Sequence, residues 1–347
     1  MEKKSLQDIS WKVPEETYRN DSALSYSILA KYEREGFSHL DTLFDRVESP
    51  SLLFGSCVDT LLTDGDAAFN SQYMVSDLPS LDPGIEPIVK EVFSQFKNSY
   101  TNINDIPESQ IAPIISQYGY QPRWKPETRC KAVREKGQHY YQTLFMAGDK
   151  TIVPQNVYNK VFACIRALKD SPQTHFYFKD NDPFEEVERF YQLKFKGTLN
   201  GIDYRCMADL ILVNHKTKEI IPCDLKTSSH REWEFPVSFL QWRYDIQARL
   251  YWLLIKQTMD KDEYFKDFTL GDYRFIVVNN IDNPIPLVWN FSGTQAAGEI
   301  TLGGKTLRHP TTIGEELTYY LENKPSVPRG IALDKSNNIE KWFENNK

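Results

Sequence analysis

Two short apolar segments joined by a polar link constrain the fold of this chain most strongly. Residues 207–213 and 220–225 are rich in Ile, Leu and Val, which is typical of β-strands, and the polar residues between them predict a hairpin. The first segment carries Asp209, and the second carries Asp224 shortly before Lys226. Because side chains alternate between the faces of a strand, Asp224 and Lys226 share a face, and hairpin pairing would bring Asp209 beside Asp224.

This group of charges needs a physical explanation, because the two strands are otherwise suited to burial. An unpaired buried charge is costly, so a protein keeps one only where an opposite charge or a metal ion compensates it. The pattern therefore indicates either a metal-dependent catalytic site or a structural ion pair between Lys226 and Asp224. The short motif Asp-x-Lys does not decide between them, since a surface strand could carry it too.

The residues around the hairpin resemble those of a known nuclease superfamily. An Asp, a gap of hairpin length and then Asp-x-Lys, here within DLKT, is similar to the signature of the PD-(D/E)XK nucleases. Gln247 and Tyr251 follow within RYDIQARLYW, four residues apart on one predicted helix face. This Q-x-x-x-Y resembles the RecB/RecE branch, which includes lambda-type phage exonucleases and proteins of the exodeoxyribonuclease VIII type. The resemblance is specific over residues 186–255 and looser elsewhere.

The resemblance implies a metal-dependent DNA exonuclease of phage or prophage recombination or DNA processing. Asp209, Asp224 and the carbonyl of Leu225 would bind Mg²⁺ or Mn²⁺, and Lys226 would orient or deprotonate a water molecule or stabilise the charged phosphate. In that branch the Gln supports the site and the Tyr packs near it, although Tyr251 is explained equally well as a core residue. The alternative is a catalytically weak or inactive nuclease-fold protein that binds DNA or another protein.

Two further positions are candidate metal ligands through the same resemblance. Gly55 in LLFGSCVDTLL matches the N-terminal motif of the branch, but Asp59 stands where the branch has His. Asp59 is either a substitute oxygen ligand or a helix-surface residue. The branch also has a Glu near the start of the first strand of the sheet. Glu188 is the main candidate for it, Glu186 and Gln192 are alternatives, and a solvated strand end explains each of them as well.

The order of predicted elements indicates an α/β (α+β) fold, similar to restriction endonucleases: a central mixed β-sheet with a β-meander core, flanked by helices, after a helical N-terminal region. Asn200-Gly201 is a hairpin turn signal within the meander. The predicted strands are residues 189–199, 202–213, 219–226, 273–278 and 284–291. Residues 296–323 predict a helix that is interrupted at Gly303-Gly304.

The domain organisation is predicted as a short arm and one large domain. Residues 1–21 are polar and predict an N-terminal arm, and residues 22–347 predict a single nuclease-like domain. An insertion or lid is expected at about residues 76–150, because residues 76–120 are rich in Pro and Asp and show one amphipathic helix around residues 87–100.

The net charge of −7 is a point against a general DNA-binding protein, which is usually basic. Residues 121–136 are an exception, with six basic and two acidic residues next to several aromatic ones. Cations bind phosphates and aromatic rings stack on bases, so this window is the predicted DNA-binding surface. A solvated helix face above core aromatic residues is the alternative. The candidate residues are Arg123, Trp124, Lys125, Arg129, Lys131 and Arg134.

The number and spacing of the cysteines argue against three kinds of cysteine-based site. The five cysteines are scattered without a C-x-x-C pair, so neither a disulfide framework nor a zinc site is indicated. Some RecB-type nucleases hold an iron–sulfur cluster through cysteines after the nuclease motifs. Since no cysteine follows Cys223, no iron–sulfur cluster is expected.

The expected compartment is the cytoplasm, that of the host cell if the protein is encoded by a phage. No apolar segment reaches the roughly 18–20 residues of a membrane span, and no signal peptide is evident, so no membrane association is expected. The expected partner is DNA. The resemblance also leaves open a single-strand annealing protein as a partner and the formation of a homo-oligomeric ring.

Overall fold

The computed structural model describes residues 3–45, 47–182, 184–326 and 328. The α-helices within these ranges are α1 (Glu15–Asn20), α2 (Tyr26–Glu35), α3 (Pro50–Thr63), α4 (Gly65–Gln72), α5 (Glu86–Phe96), α6 (Glu108–Gln117), α7 (Pro126–Ala147), α8 (Gln155–Asp170), α9 (Phe235–Gln241), α10 (Tyr244–Asp260) and α11 (Pro310–Asn323). The strands are β1 (Tyr73–Val75), β2 (Thr151–Val153), β3 (Val187–Leu199), β4 (Ile202–Asn214), β5 (Glu219–Ser228), β6 (Thr269–Leu270), β7 (Tyr273–Asn279), β8 (Leu287–Phe291), β9 (Ile300–Leu302) and β10 (Lys305–Leu307).

The chain divides into two compact units, one formed by residues 1–53 and 166–347 and the other by residues 54–165. The first unit contains a mixed sheet of six strands with helices packed against it. The predicted fold class, a mixed α/β fold with a central mixed sheet flanked by helices, is therefore confirmed. The predicted division into an arm and one domain with an insertion stays a prediction.

The sheet begins with the predicted meander. β3 pairs antiparallel with β4, and β4 with β5. Asn200 and Gly201 connect β3 to β4 with φ angles of 51° and 80°, the left-handed conformation that a two-residue hairpin turn requires. β5 then pairs in parallel with β6 and β7, and β7 pairs antiparallel with β8. The parallel pairing needs a crossover connection, and α9 and α10 form it.

Helix α10 lies in the core of this unit and packs on β3, β4 and α2. Its buried residues occupy more than one face, and they include the polar Asp245, Gln247 and Arg249. A buried polar group is costly without a hydrogen-bond partner, so each of these side chains must be satisfied inside the protein. The helix therefore has to be held by specific polar contacts in addition to apolar packing.

The N-terminal segment of the chain lies against the sheet. Leu6 is fully buried in the apolar core, and the backbone N–H of Trp11 donates to the carbonyl of Lys194 on β3 at 2.7 Å. Arg205 of β4 donates to the carbonyl of Tyr18 and lies 5.0 Å from the centre of its ring. These contacts bring residues 6–18 into the packing of the first unit.

One element prediction near the C-terminus is wrong. Residues 296–307 do not form the first part of a helix but contain the antiparallel pair β9 and β10. Gly303 and Gly304 join the strands with φ angles of 58° and 75°. Such a Gly-Gly pair suits a two-residue hairpin turn, which separates the strands from the helix that follows, α11.

The second unit, residues 54–165, has an apolar core of its own. Helices α5, α6 and α7 contribute most of it through residues such as Ile88, Ile111, Val133 and Tyr141. The single helix predicted over residues 87–100 corresponds to α5, and α6 was missed because its sequence contains Pro113. In neither unit does a described helix have the length and apolar character needed to cross a bilayer.

Candidate active site

Asp209 and Asp224 lie where strands β4 and β5 separate. The pairing of β4 with β5 extends from Asn214 and Glu219 to Leu210 and Cys223 and ends there, whereas the opposite edge of β5 pairs with β7 from Cys223 onward. The N–H of Leu225 consequently loses its strand partner and donates to Oδ2 of Asp209 at 3.0 Å. The hairpin therefore brings the two predicted carboxylates together at this fork.

Asp224 is almost completely buried, with 1% of its surface exposed, and it has two close partners. Nζ of Lys226 lies 2.6 Å from Oδ2 of Asp224, and Nε2 of Gln247 donates to Oδ1. Strand alternation places Lys226 beside Asp224, and α10 brings Gln247 over the strand. The structure thus joins four predicted site residues, Asp209, Asp224, Lys226 and Gln247, in one cluster.

Lys226 is held in its charged form. Burial favours the neutral amine, but Asp224 together with Tyr244, Tyr26 and Asp209 outweighs it and raises the pKa of Lys226. The Nζ atom also lies 4.6 Å from the centre of the Tyr244 ring, a distance at which the ring stabilises a cation. These contacts therefore favour the ammonium form of Lys226.

Tyr251 lies on the core side of this cluster, together with Tyr273 of β7. Both side chains are buried, their ring centres are 6.2 Å apart, and burial raises the pKa of each phenol well above its usual value. Two buried polar atoms near Asp224, Oε1 of Gln247 and Oη of Tyr273, make no hydrogen bond with any described residue. Such atoms favour the presence of water beside the carboxylate.

The residue of β3 that lies opposite Asp209 is not Glu188, the main candidate. The register of β3 and β4 places Gln192 across from Asp209, and Gln192 has a φ of 53°, which is unusual for a residue other than glycine. Glu188 instead pairs with Val213, four residues along β4 from Asp209, or about 13 Å away. Of the three candidates, Gln192 is the one that the structure brings near Asp209.

Glu188 takes part in a separate ion pair network. Its carboxylate lies 2.9 Å from Nζ of Lys3 and 3.0 Å from Nε2 of His215. Burial works against its ionisation, but Lys3 and His215 hold the pKa of Glu188 below its usual value. Glu186, the other acidic candidate, precedes β3 and accepts a hydrogen bond from the N–H of His215 through its backbone carbonyl.

The turn between α9 and α10 is fixed by buried charges. Arg243, the residue before α10, has a left-handed φ of 57°, a conformation that costs about 1–2 kcal/mol for a residue with a side chain. Its guanidinium forms ion pairs with Glu33 at 2.6 Å and Asp245 at 2.8 Å. These contacts offset the strain and set the start of the helix that carries Gln247.

The remaining site candidates belong to the second unit. Asp59 lies in α3, half-buried, one turn after Gly55. Arg123, Trp124 and Lys125 are exposed in the turn before α7.

The part of the basic window inside α7 is less open. Lys131 is exposed but lies 3.8 Å from Glu135, and Arg129 is half-buried. Arg134 donates to the carbonyl of Ile106, so its guanidinium supports the fold of this unit. Four of the six predicted DNA-binding residues are thus exposed, namely the three before α7 and Lys131.

The carboxylate pair suits a hard divalent cation. Within the described ranges, no three His, Cys, Asp or Glu side chains are close enough to hold one metal ion. Mg²⁺ typically takes only one or two carboxylates and completes its shell with water and substrate phosphate. Each oxygen of Asp224 has a second lone pair besides the one directed at Gln247 or Lys226. Asp209, Asp224 and the Leu225 carbonyl therefore fit Mg²⁺ or Mn²⁺, and they do not fit a thiolate-bound metal.

Sequence reasoning missed the aromatic surroundings of Lys226. Tyr244 stands three residues before Gln247 in a helix, a spacing that places both side chains on one face and could have revealed it. Tyr26 packs beside it, with ring centres 6.2 Å apart, but it comes from α2. No local pattern connects residues that are more than 200 positions apart in the sequence.

Comparisons with known proteins add little to this geometry. No protein family model and no curated protein matches the chain. Among solved structures, the crystal structure of a candidate exonuclease from Eubacterium rectale is similar with a TM-score of 0.41 and 12% sequence identity. The alignment covers 90% of this chain and 85% of that one. At this level of similarity the comparison carries no argument about function, which must come from the site itself.

Proposed function

We propose that the protein is a metal-dependent deoxyribonuclease of the PD-(D/E)XK type that degrades DNA from its ends. The observation that carries the proposal is the arrangement at the fork of β4 and β5, where Asp209 and Asp224 lie next to a partly buried ammonium group. Buried charge is costly, and an arrangement of two carboxylates and one lysine is retained when it serves chemistry on a charged substrate.

The residues of the chain would divide the work on a phosphodiester as follows. Asp209, Asp224 and the Leu225 carbonyl would hold one or two Mg²⁺ or Mn²⁺ ions, and such an ion supplies a more acidic water and stabilises charge on the phosphate. Gln247 would fix the orientation of Asp224 through its hydrogen bond.

Lys226 would act as a cation rather than as a base. The ion pair with Asp224 at 2.6 Å favours the protonated form of Lys226, which has no free lone pair to accept a proton from water. Its positive charge would stabilise the negative charge that develops on the phosphate in the transition state. This favours the electrostatic role among those considered for this lysine.

The contact with DNA would extend beyond the catalytic cluster. The exposed residues Arg123, Trp124 and Lys125 of the second unit combine charge and a ring, the two features that bind phosphates and bases. Asp59 stays a candidate for an additional oxygen ligand. A role in phage recombination, a ring-shaped oligomer and a partner that anneals single strands would fit an exonuclease of this kind.

A second candidate function is binding without cleavage. The observation that favours it is the closeness of Lys226 to Asp224, because an ion pair of 2.6 Å is also what a purely structural lysine would form. In that case the protein would bind DNA or a partner protein through the same surfaces and would leave the phosphodiester bonds intact.

Incubation of the purified protein with end-labelled linear DNA separates the two functions. We expect Mg²⁺ or Mn²⁺ to support shortening of the DNA, EDTA to stop it and added Mg²⁺ to restore it. A covalently closed circle of the same sequence is the matched control and should stay intact if degradation begins at ends. Intact linear DNA in the presence of either cation would favour the binding function.

A further inference from the structure

Two exposed tryptophans flank α9, and the proposed reaction does not use them. Trp233 precedes α9 and Trp242 directly follows it, and they are 56% and 43% exposed. The guanidinium of Arg231 lies 5.3 Å from the centre of the Trp233 ring, and that of Arg34 lies 5.2 Å from the Trp242 ring. We call these four residues the tryptophan surface.

The tryptophan surface is connected to the candidate active site through Tyr244. Lys226 contacts the ring of Tyr244, and Trp242 lies two residues before Tyr244 in the chain. Phe235 stacks on Tyr244 with ring centres 5.8 Å apart and an angle of 15° between the rings, and Trp233 lies two residues before Phe235. Two residues span at most about 7 Å, so both tryptophans lie within a few nucleotides of Lys226.

The position of Trp242 is fixed before any ligand arrives. The hydroxyl of Tyr26 donates to the carbonyl of Trp242 at 3.0 Å, and the next residue, Arg243, is locked by Glu33 and Asp245. Because the backbone is held, only the side-chain torsions of Trp242 have to be ordered when a flat ligand stacks on its ring.

The two guanidinium groups on this surface are available for an anion. Arg34 and Arg231 are both exposed, and neither forms an ion pair with a carboxylate in the described part of the chain. Arg243, by contrast, is buried and paired, and so it belongs to the internal structure. An aromatic ring with an unpaired arginine above it offers stacking to a base and charge to a phosphate.

We propose that the tryptophan surface binds unpaired nucleotides of a DNA strand whose end enters the site at Lys226. A ring can stack only on an exposed base face, and in a duplex neighbouring pairs cover the faces of all but the terminal bases. The substrate class is therefore a single strand or a frayed end. The role of this binding rests on the proposed nuclease function, but the binding itself can be measured without cleavage.

Binding of a fluorescein-labelled thymidine oligonucleotide, followed by anisotropy in EDTA, tests the proposal. We expect Trp233→Ala and Trp242→Ala each to weaken binding about fivefold to a hundredfold, as for the loss of one stacked base. Trp233→Phe and Trp242→Phe should keep part of the wild-type affinity, because Phe retains a ring. Phe184→Ala, which removes a 96% exposed ring elsewhere in the first unit, should leave affinity unchanged. A relaxed, covalently closed circular duplex, which has neither ends nor unpaired nucleotides, should bind equally to all variants.

Unchanged oligonucleotide affinity in both tryptophan variants would overturn the proposal, as would an equal loss of affinity for the closed duplex. The nuclease function is judged separately, by cleavage in Mg²⁺. If the wild type does not cleave DNA but the tryptophan variants still lose affinity, the tryptophan surface stands and the nuclease function falls. If the wild type cleaves DNA and the tryptophan variants bind the oligonucleotide as the wild type does, the nuclease function stands and the tryptophan surface falls.

Discussion

Replacement of Asp224 by Asn is expected to lower the rate of DNA cleavage by on the order of 10²- to 10³-fold, as does the loss of one charge-stabilising group in other active sites. Asn retains an oxygen that can accept the hydrogen bond of Gln247, but it removes the negative charge that a divalent cation needs. The measurement is the initial rate of shortening of end-labelled linear DNA in Mg²⁺. Asp203→Asn is the matched control, because Asp203 is an exposed residue of the same strand as Asp209.

Stability measurements on the same site separate catalysis from folding. Lys226→Met leaves Asp224 buried without an opposite charge, which typically costs about 3–5 kcal/mol of unfolding free energy. Asp224→Asn leaves Lys226 unpaired instead, but 18% of the lysine side chain reaches solvent, so the loss should be smaller. The double variant should recover stability without recovering cleavage. Wild-type cleavage by folded Asp224→Asn protein would end the assignment of this residue.

Arg249→Met is expected to lower the unfolding free energy by about 3–5 kcal/mol, as measured by urea unfolding, because it removes a buried charge from a network. Arg249 is fully buried in α10 and donates to the carbonyls of Gly298, Leu307 and Arg308. Its removal leaves these carbonyls, of which that of Leu307 belongs to a buried residue, without this donor and releases the β9–β10 hairpin from the helix.

A matched surface variant shows what an arginine outside such a network contributes. Arg19→Met removes an exposed ion pair with Glu15, one turn away in the same helix, and should cost no more than about 0.5 kcal/mol. A loss below about 1 kcal/mol for Arg249→Met would show that the carbonyls find other partners and that the buried arginine does not hold the hairpin.

The meander and the candidate catalytic cluster were predictable because their determinants are local. Alternation along β5 placed Lys226 beside Asp224, and the polar link after β4 placed Asp209 next to them. The helix spacing of Gln247 and Tyr251 was likewise enough to assign both to α10. Each of these predictions needed only the period of one element and the length of one turn.

The parts that sequence reasoning missed depend on contacts between distant segments. Tyr26 meets Tyr244, and Glu33 meets Arg243, only because α2 packs against the start of α10. The prediction of Glu188 as an acidic residue of the site required the register of β3, which the sequence did not fix. The residue opposite Asp209 is Gln192, and its positive φ could not be inferred from the composition of the strand.

The most direct test of the account is a calorimetric titration of Mn²⁺ into the wild-type protein and the Asp224→Asn variant. In the proposed mechanism, Asp209 and Asp224 form one site for a hard cation at the fork of β4 and β5. This mechanism predicts binding to the wild type and a large loss of affinity in the variant, with the fold retained. Equal Mn²⁺ affinity in the two proteins, or no binding to the wild type, would contradict it.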